Sequence, residues 1–270
     1  MQPHLIISDI DGTLAVDHTK VTAPTVKVLN QLMAAGHQFY VASGRMYALA
    51  EFISSQVSPE AQIIASNGAV YDFNGHREHH LLGEEALTQI EQVTAKYELP
   101  AFYFSDNQVF YTKTPPKFIE KALMSFSPDQ DVVTTVQLPD LPSLLAHEQE
   151  ITNGFVLSPH DPAGLAHTMV ELGATNLLHL SASNHDNIEL IPKNVDKSTA
   201  IKELQEKTGI PASRTIVFGD GMNDLGMLQA AGISVAMANA VPEVSAAARF
   251  MTNANTEDGV ARFLQNYFKL

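Results

Sequence analysis

The sequence predicts an α/β fold, a doubly wound parallel sheet interrupted by an inserted α+β domain. Three observations predict it. Short apolar runs alternate with helical patterns in the first and last thirds of the chain, as in a sheet with helices on both faces. Those runs are continuous rather than alternating, as in strands buried on both sides. The middle third reads instead as hairpins mixed with helices.

Taken in order, His4–Ser8 carries Leu5, Ile6 and Ile7 and reads as a buried strand. Pro24–Ala35 sets Val28, Leu29 and Leu32 at helical spacing, and Gly36 ends it. Phe39–Ala42 is a second strand, followed by Ser43-Gly44-Arg45, where a helix is expected to begin. A third strand, Gln62–Ala65, ends at Ser66-Asn67-Gly68, and Asn74-Gly75 within Tyr71–His80 signals a hairpin. In the middle, Glu84–Tyr97, Pro116–Phe126 and Pro162–Leu172 read as helices. Phe102–Phe104, Val109–Tyr111, Val132–Gln137, Gly154–Leu157, Leu177–Ser181 and Asn187–Ile191 read as strands. In the last third Asp196 can N-cap a helix to Thr208, which Gly209 and Pro211 close. Thr215–Phe218 is a strand ending at Gly219-Asp220. A helix to Ala231, a strand at Ser234–Ala236 and an amphipathic helix at Gly259–Phe268 complete the chain. The expected domains are a discontinuous core of residues 1–81 and 191–270 around an α+β domain of residues 82–190.

Composition removes several classes of function. At 270 residues, 45% hydrophobic and 17% charged, the chain can bury a core as one large domain or two smaller ones. A net charge of -14 repels nucleic acid and anionic membrane, which call for clustered Lys and Arg. The absence of cysteine excludes disulfides, thiolate metal sites and a cysteine nucleophile. The start, MQPHLIISDID, lacks the basic and long apolar regions of a signal peptide. No stretch approaches the ~18 apolar residues of a membrane helix. A cytoplasmic location is expected, with no obligate protein partner implied. The eleven histidines are scattered, with no His-x-x-x-His on a helix, so none is assigned to a metal.

The chemistry concentrates where strands end. In SDIDGTL, Asp9 and Asp11 lie at the carboxyl end of the first strand, and strand alternation points both the same way. Ligands bind at that edge of an open α/β sheet. Carboxylates this close repel unless a cation lies between them or they share a proton. An acid/base pair and a Mg²⁺ site are both natural, since Mg²⁺ takes hard oxygen ligands. A plain Asp-Gly turn is the bland alternative. A second acidic loop, Gly219-Asp220-Gly221-Met222-Asn223-Asp224, also follows a strand, and together the two loops supply oxygens for one Mg²⁺. Ser43 and Gly44 can offer a hydroxyl and a backbone N–H to an anion. Lys197 stands in a first helical turn, where the dipole disfavours a cation unless an anion faces it.

DIDGT at 9–13, SGR at 43–45, Lys197 and GDGMND at 219–224, in that order, resemble the haloacid dehalogenase superfamily. Within it, SNGA at 66–69, ELIPKNVDK at 189–197 and MANA at 237–240 resemble the Cof-type, subclass IIB sugar-phosphatase-like hydrolases. The resemblance implies a Rossmann-like core with a C2B cap inserted between Arg45 and Lys197. Too few residues separate Thr13 from Ser43 for a cap there. It also implies a Mg²⁺-dependent phosphatase, a phosphoric monoester hydrolase acting on small esters such as sugar phosphates or phosphorylated cofactors. Asp9 would be the nucleophile that forms an aspartyl phosphate, and Asp11 the acid/base. The metal would sit on Asp9, the Asp11 backbone carbonyl, Asp220 and Asp224. Ser43, Lys197, Asn223 and the N–H groups of Ile10 and Gly44 would hold the phosphate oxygens, with Arg45 and Asn67 reaching substrate. Thr13 would buttress the turn. Phosphomutase-type transfer to another alcohol and a non-catalytic Mg²⁺-dependent phospho-acceptor are the alternatives.

Overall fold

The computed structural model of the chain describes residues 2–113, 132–182 and 185–270. In chain order its elements are β1 (Leu5–Asp9), α1 (Ala23–Ala34), β2 (Gln38–Ala42), α2 (Tyr47–Val57), β3 (Gln62–Ala65), β4 (Val70–Phe73), β5 (His76–His79) and α3 (Gly83–Lys96). Then come β6 (Ala101–Phe104), β7 (Gln108–Tyr111), β8 (Thr134–Gln137), α4 (Leu141–Leu145), β9 (Asn153–Leu157), α5 (Pro162–Thr175), β10 (Leu178–Ser181) and β11 (Asn187–Pro192). The last are α6 (Lys197–Thr208), β12 (Thr215–Gly219), α7 (Leu225–Ala230), β13 (Ile233–Ala236), α8 (Pro242–Ala247), β14 (Phe250–Met251) and α9 (Gly259–Phe268). The helix expected at Pro116–Phe126 lies outside the described residues.

The chain divides into two compact units, one of Met1–Arg45, Ala50–Glu78 and Lys197–Leu270, the other of Met46–Leu49 and His79–Asp196. The first is built on an eight-stranded sheet in the order β14-β13-β12-β1-β2-β3-β4-β5. From β14 to β3 neighbours run parallel. β4 pairs antiparallel with β3, and Asn74-Gly75, at φ 51° and 76°, make the tight turn to β5. The apolar runs of β1 and β12 are buried along their whole length. Leu5, Ile7, Tyr40, Ile64 and Val217 on one face join Ile201 and Leu204 of α6, Met227 of α7 and Val244 of α8 in a single core. Phe218 on the opposite face meets Phe263 of α9 edge-on, their ring centres 5.5 Å apart. Helices therefore cover both faces, and the sheet is doubly wound.

The second unit is a six-stranded sheet in the order β10-β11-β9-β6-β7-β8, antiparallel except for β7 with β8. Its core gathers Leu87, Ile90 and Val93 of α3, Leu165 and Leu172 of α5, and Tyr103, Phe110, Val156 and Leu190 from the strands. Asp161 caps α5 by accepting the Gly164 N–H at 2.8 Å, and Asn176 closes it in the left-handed conformation. On the other face Phe102 and Val109 pack with Met46 and Leu49.

Candidate active site

Three parallel strands carry the acidic and polar residues to one sheet edge. Asp9 is the last residue of β1, Ser43 the first after β2 and Asp220 the first after β12. The pairings of Asp9 with Ala42 and of Ser8 with Phe218 bring these carboxyl ends level, at the edge where open α/β sheets take ligands.

Lys197, the first residue of α6, projects its ammonium between two carboxylates. Nζ donates to Asp9 Oδ1 at 2.5 Å and to Asp224 Oδ1 at 2.7 Å, and the lysine side chain is 1% exposed. Burial works against its charge, but Asp224 and Asp9 outweigh that and hold its pKa above the ordinary lysine value. The other Asp224 oxygen accepts the N–H groups of Asp220 at 3.0 Å and Gly221 at 3.1 Å, so one oxygen holds the lysine and the other the loop. Thr13 Oγ1 donates to Asp220 Oδ1 at 2.7 Å. The approach is tight enough to need glycine. A Cβ on Gly219 would lie 2.6 Å from that of Asp224. One on Gly12, at φ 80°, would collide with the Asp220 carboxylate.

The carboxylates of Asp9, Asp220 and Asp224 offer ligand oxygens within 4.8 Å of one another. Three carboxylates here face one ammonium. Burial first, and the Asp224 charge second, push the Asp9 carboxyl well above the usual carboxylate range despite Lys197. Burial also raises Asp220, with Asp224 adding to it. With all three ionised, the cluster would carry more negative charge than its lysine offsets. Hard oxygen donors in that excess, at that spacing, fit a divalent cation.

Asp11 stands apart from this cluster. Arg45 grips it with a fork, Nε to Oδ2 at 2.9 Å and Nη2 to Oδ1 at 2.5 Å, and His18 Nδ1 lies 2.8 Å from Oδ1. Burial alone would raise the Asp11 carboxyl, but the bonds and charge of Arg45, joined by His18, hold it below the usual range. The expectation that strand alternation sets Asp9 and Asp11 alike is corrected: β1 stops at Asp9, and the chain turns at Ile10. The period-two argument therefore does not reach Asp11. Its carboxylate is not among the three clustered oxygen donors, and the metal contact expected of this residue is through its backbone carbonyl.

The loop after β2 also differs from expectation, because α2 begins at Tyr47 rather than at Ser43-Gly44. Ser43 Oγ accepts the Arg45 N–H at 3.1 Å, a local turn that competes with helix. Asn67 N–H donates to Ser43 O at 3.0 Å and Ser66 N–H to Arg45 O at 2.8 Å, so the loops after β2 and β3 are stitched together. Ser66 and Asn67 hold left-handed conformations at φ 51° and 55°, and both are buried. Asn67 lies over Gly44, where an added Cβ would come 3.0 Å from its Oδ1. Asn223 stands exposed in the turn Met222–Asp224, its Oδ1 over Gly221. Ile10, buried at the turn, accepts the Ala15 N–H at 2.9 Å through its carbonyl.

Sequence reasoning missed the pairing of Arg45 with Asp11, although a carboxylate beside another carboxylate is a signal to look for a second cation. It also missed His18, for which the sequence holds no signal.

Comparisons place the chain among known proteins. The family profile of the haloacid dehalogenase-like hydrolases matches residues 6–264. The 5-amino-6-(5-phospho-D-ribitylamino)uracil phosphatase YitU of Bacillus subtilis is 28% identical over 281 residues, 100% of this chain and 99% of its own. The pyridoxal phosphate phosphatase YbhA of Escherichia coli is 25% identical over 273 residues, 99% of each. A solved structure of a subclass IIB sugar phosphatase of the superfamily superposes with a TM-score of 0.79 at 22% identity, covering 99% of this chain and 100% of that one. Among the described residues no helix is long and apolar enough to cross a membrane. Fold, motif order and profile agree, and the chain belongs to the haloacid dehalogenase-like hydrolases.

Proposed function

We propose that this hydrolase, a phosphoric monoester hydrolase of its family, cleaves small phosphate esters by way of a phosphorylated Asp9, with Mg²⁺ as its metal. The observation that carries the reading is the contrast around the turn. Asp9 is buried against Lys197 and two further carboxylates, while Asp11 is held apart and ionised by Arg45.

Asp9 attacks phosphorus in line, and the P–O bond to the alcohol breaks as Asp11, which must take up a proton against the pull of the Arg45 fork before this step, gives that proton to the leaving oxygen. Asp11 then takes a proton from water, whose oxygen attacks the phosphorus and returns Asp9 with release of phosphate. The fork from Arg45 favours the carboxylate form that acts as base. Lys197 lies beside the attacking oxygen, and with Ser43, Asn223 and the N–H groups of Ile10 and Gly44 would stabilise the transferring oxygens. Arg45 acts on Asp11, and Asn67 supports the Gly44 loop. Asp9 and Asp220, with Asp224 and the Asp11 carbonyl, would hold the Mg²⁺, which when bound neutralises charge that repels a phosphate dianion.

Sugar phosphates and phosphorylated cofactors are the substrate classes that the relatives' names support, a pyridoxal phosphate phosphatase and a sugar phosphatase among them. The test is phosphate release from a panel of such esters with Mg²⁺ and with a chelator. Release that needs Mg²⁺ is the expected result. A hexose phosphate isomerised without free phosphate would replace hydrolysis by transfer, and no turnover of any ester would overturn the reading.

A further inference from the structure

Two asparagines from loops beyond the neighbouring strands reach the turn that follows Asp9. Asn239, after β13, donates its side-chain amide to the Gly12 carbonyl at 2.7 Å. Asn255, after β14, donates to the Ala15 carbonyl at 2.7 Å. The two are joined, since the Asn255 N–H donates to Asn239 Oδ1 at 3.2 Å. The segment also holds the second acidic loop, because the Val241 N–H donates to the Asp220 carbonyl at 3.0 Å.

We propose that Asn239 and Asn255 form a clamp that positions the Asp9–Ala15 turn, and that they are positioning residues for the phosphatase reaction. The consequence for turnover rests on the reading above; the clamp itself does not. Within the turn, the Leu14 and Ala15 N–H groups bond back to Ile10 O at 3.1 and 2.9 Å, while its Gly12 and Ala15 carbonyls are the ones that Asn239 and Asn255 hold from outside. An asparagine amide matches each of these acceptors. The Gly12 carbonyl belongs to the peptide unit that leads into Thr13, whose hydroxyl bonds to Asp220. Fixing that plane therefore fixes the backbone between Asp9 and the Asp220 loop. Asn239 is an exposed residue. Its bond adds little to global stability, because water can replace the donor. Its value lies in orientation, where displacements near an ångström cost turnover heavily.

The variants are Asn239→Ala, Asn239→Asp and Asn255→Ala. Asn239→Asp keeps the acceptor for Asn255 but loses the donor to Gly12. Hydrogen exchange of the amides of residues 10–15 is followed in each, beside kcat and KM on one phosphate ester. Faster exchange confined to that segment is expected, with kcat down about tenfold, KM within about twofold and Tm within about 2–4 °C. Asn239→Asp should resemble Asn239→Ala, and the Asn239→Ala/Asn255→Ala double variant should lose less than the product of the single losses. Unchanged exchange would overturn the clamp. Faster exchange with kcat unchanged would overturn its positioning role. If the wild-type chain released no phosphate from any ester, the functional reading would fail while exchange still decided the clamp.

Discussion

The Asp9 side chain is 8% exposed and touches a buried lysine; that of Asp11 is 36% exposed and is gripped by an arginine and a histidine. Both belong to one short turn and carry the same functional group. Burial raises the pKa of the first; it pushes the second up as well, but the bonds and charges of Arg45 and His18 together outweigh it and lower that pKa. Identity and sequence position say little about what a carboxylate does, whereas its neighbours say a great deal. A buried carboxylate whose charge is opposed by two others gains from any added cation. An ionised one at the rim, held in a fork, must give up part of that grip to take a proton.

That contrast can be broken at either end. Asp9→Asn removes the proposed nucleophile while keeping shape, and phosphate release should fall by about 10³-fold or more. Residual turnover near the wild-type rate would remove Asp9 from the role. In the first turnover, Asp11→Asn should slow release of an alkyl leaving group by about 10²-fold and that of nitrophenol, which needs no proton, far less, while the later hydrolysis slows alike for both esters. Equal first-turnover losses on both esters would argue against proton transfer to the leaving group. Arg45→Lys keeps a charge but cannot fork, and kcat should fall about tenfold, again more on the alkyl ester. A change in KM alone would assign Arg45 to substrate instead.

The smallest effect is on stability. The folded pKa of Asp11 is depressed, so its contribution is present above the unfolded value, about 3.9, and is lost as pH falls through the folded value. Arg45→Gln should therefore lower urea stability at neutral pH by under about 1 kcal/mol, the scale of partly exposed pairs. The two proteins should converge below about pH 4. A gap that persists at lower pH would mean that Arg45 stabilises by packing.

Much of this was legible in the sequence because it is local. Gln62–Ala65 and Gly259–Phe268 are found with the bounds expected of them, each set by a continuous pattern and a clear break. The acidic loops were legible because strand ends and glycine turns are marked by neighbouring residues. The end of β1 was not, since alternation says which face a residue takes and not where pairing stops. The late start of α2 goes with the bond from the Arg45 N–H to Ser43 Oγ and with the bonds that tie this loop to the one after β3. The grip of Arg45 on Asp11 joins two loops distant in sequence, as do the Asn239 and Asn255 contacts, and only the folded register brings such partners together.

The most direct test is to find where the phosphoryl group resides. Asp11→Asn protein, expected to be slow to hydrolyse the proposed intermediate, is mixed with an activated phosphate ester and Mg²⁺, quenched in acid, digested and sequenced by mass spectrometry. The account predicts a phosphoryl group on Asp9 that is absent from the Asp9→Asn protein. A phosphoryl group on another residue, or direct hydrolysis that leaves the chain unmodified while phosphate accumulates, would contradict it.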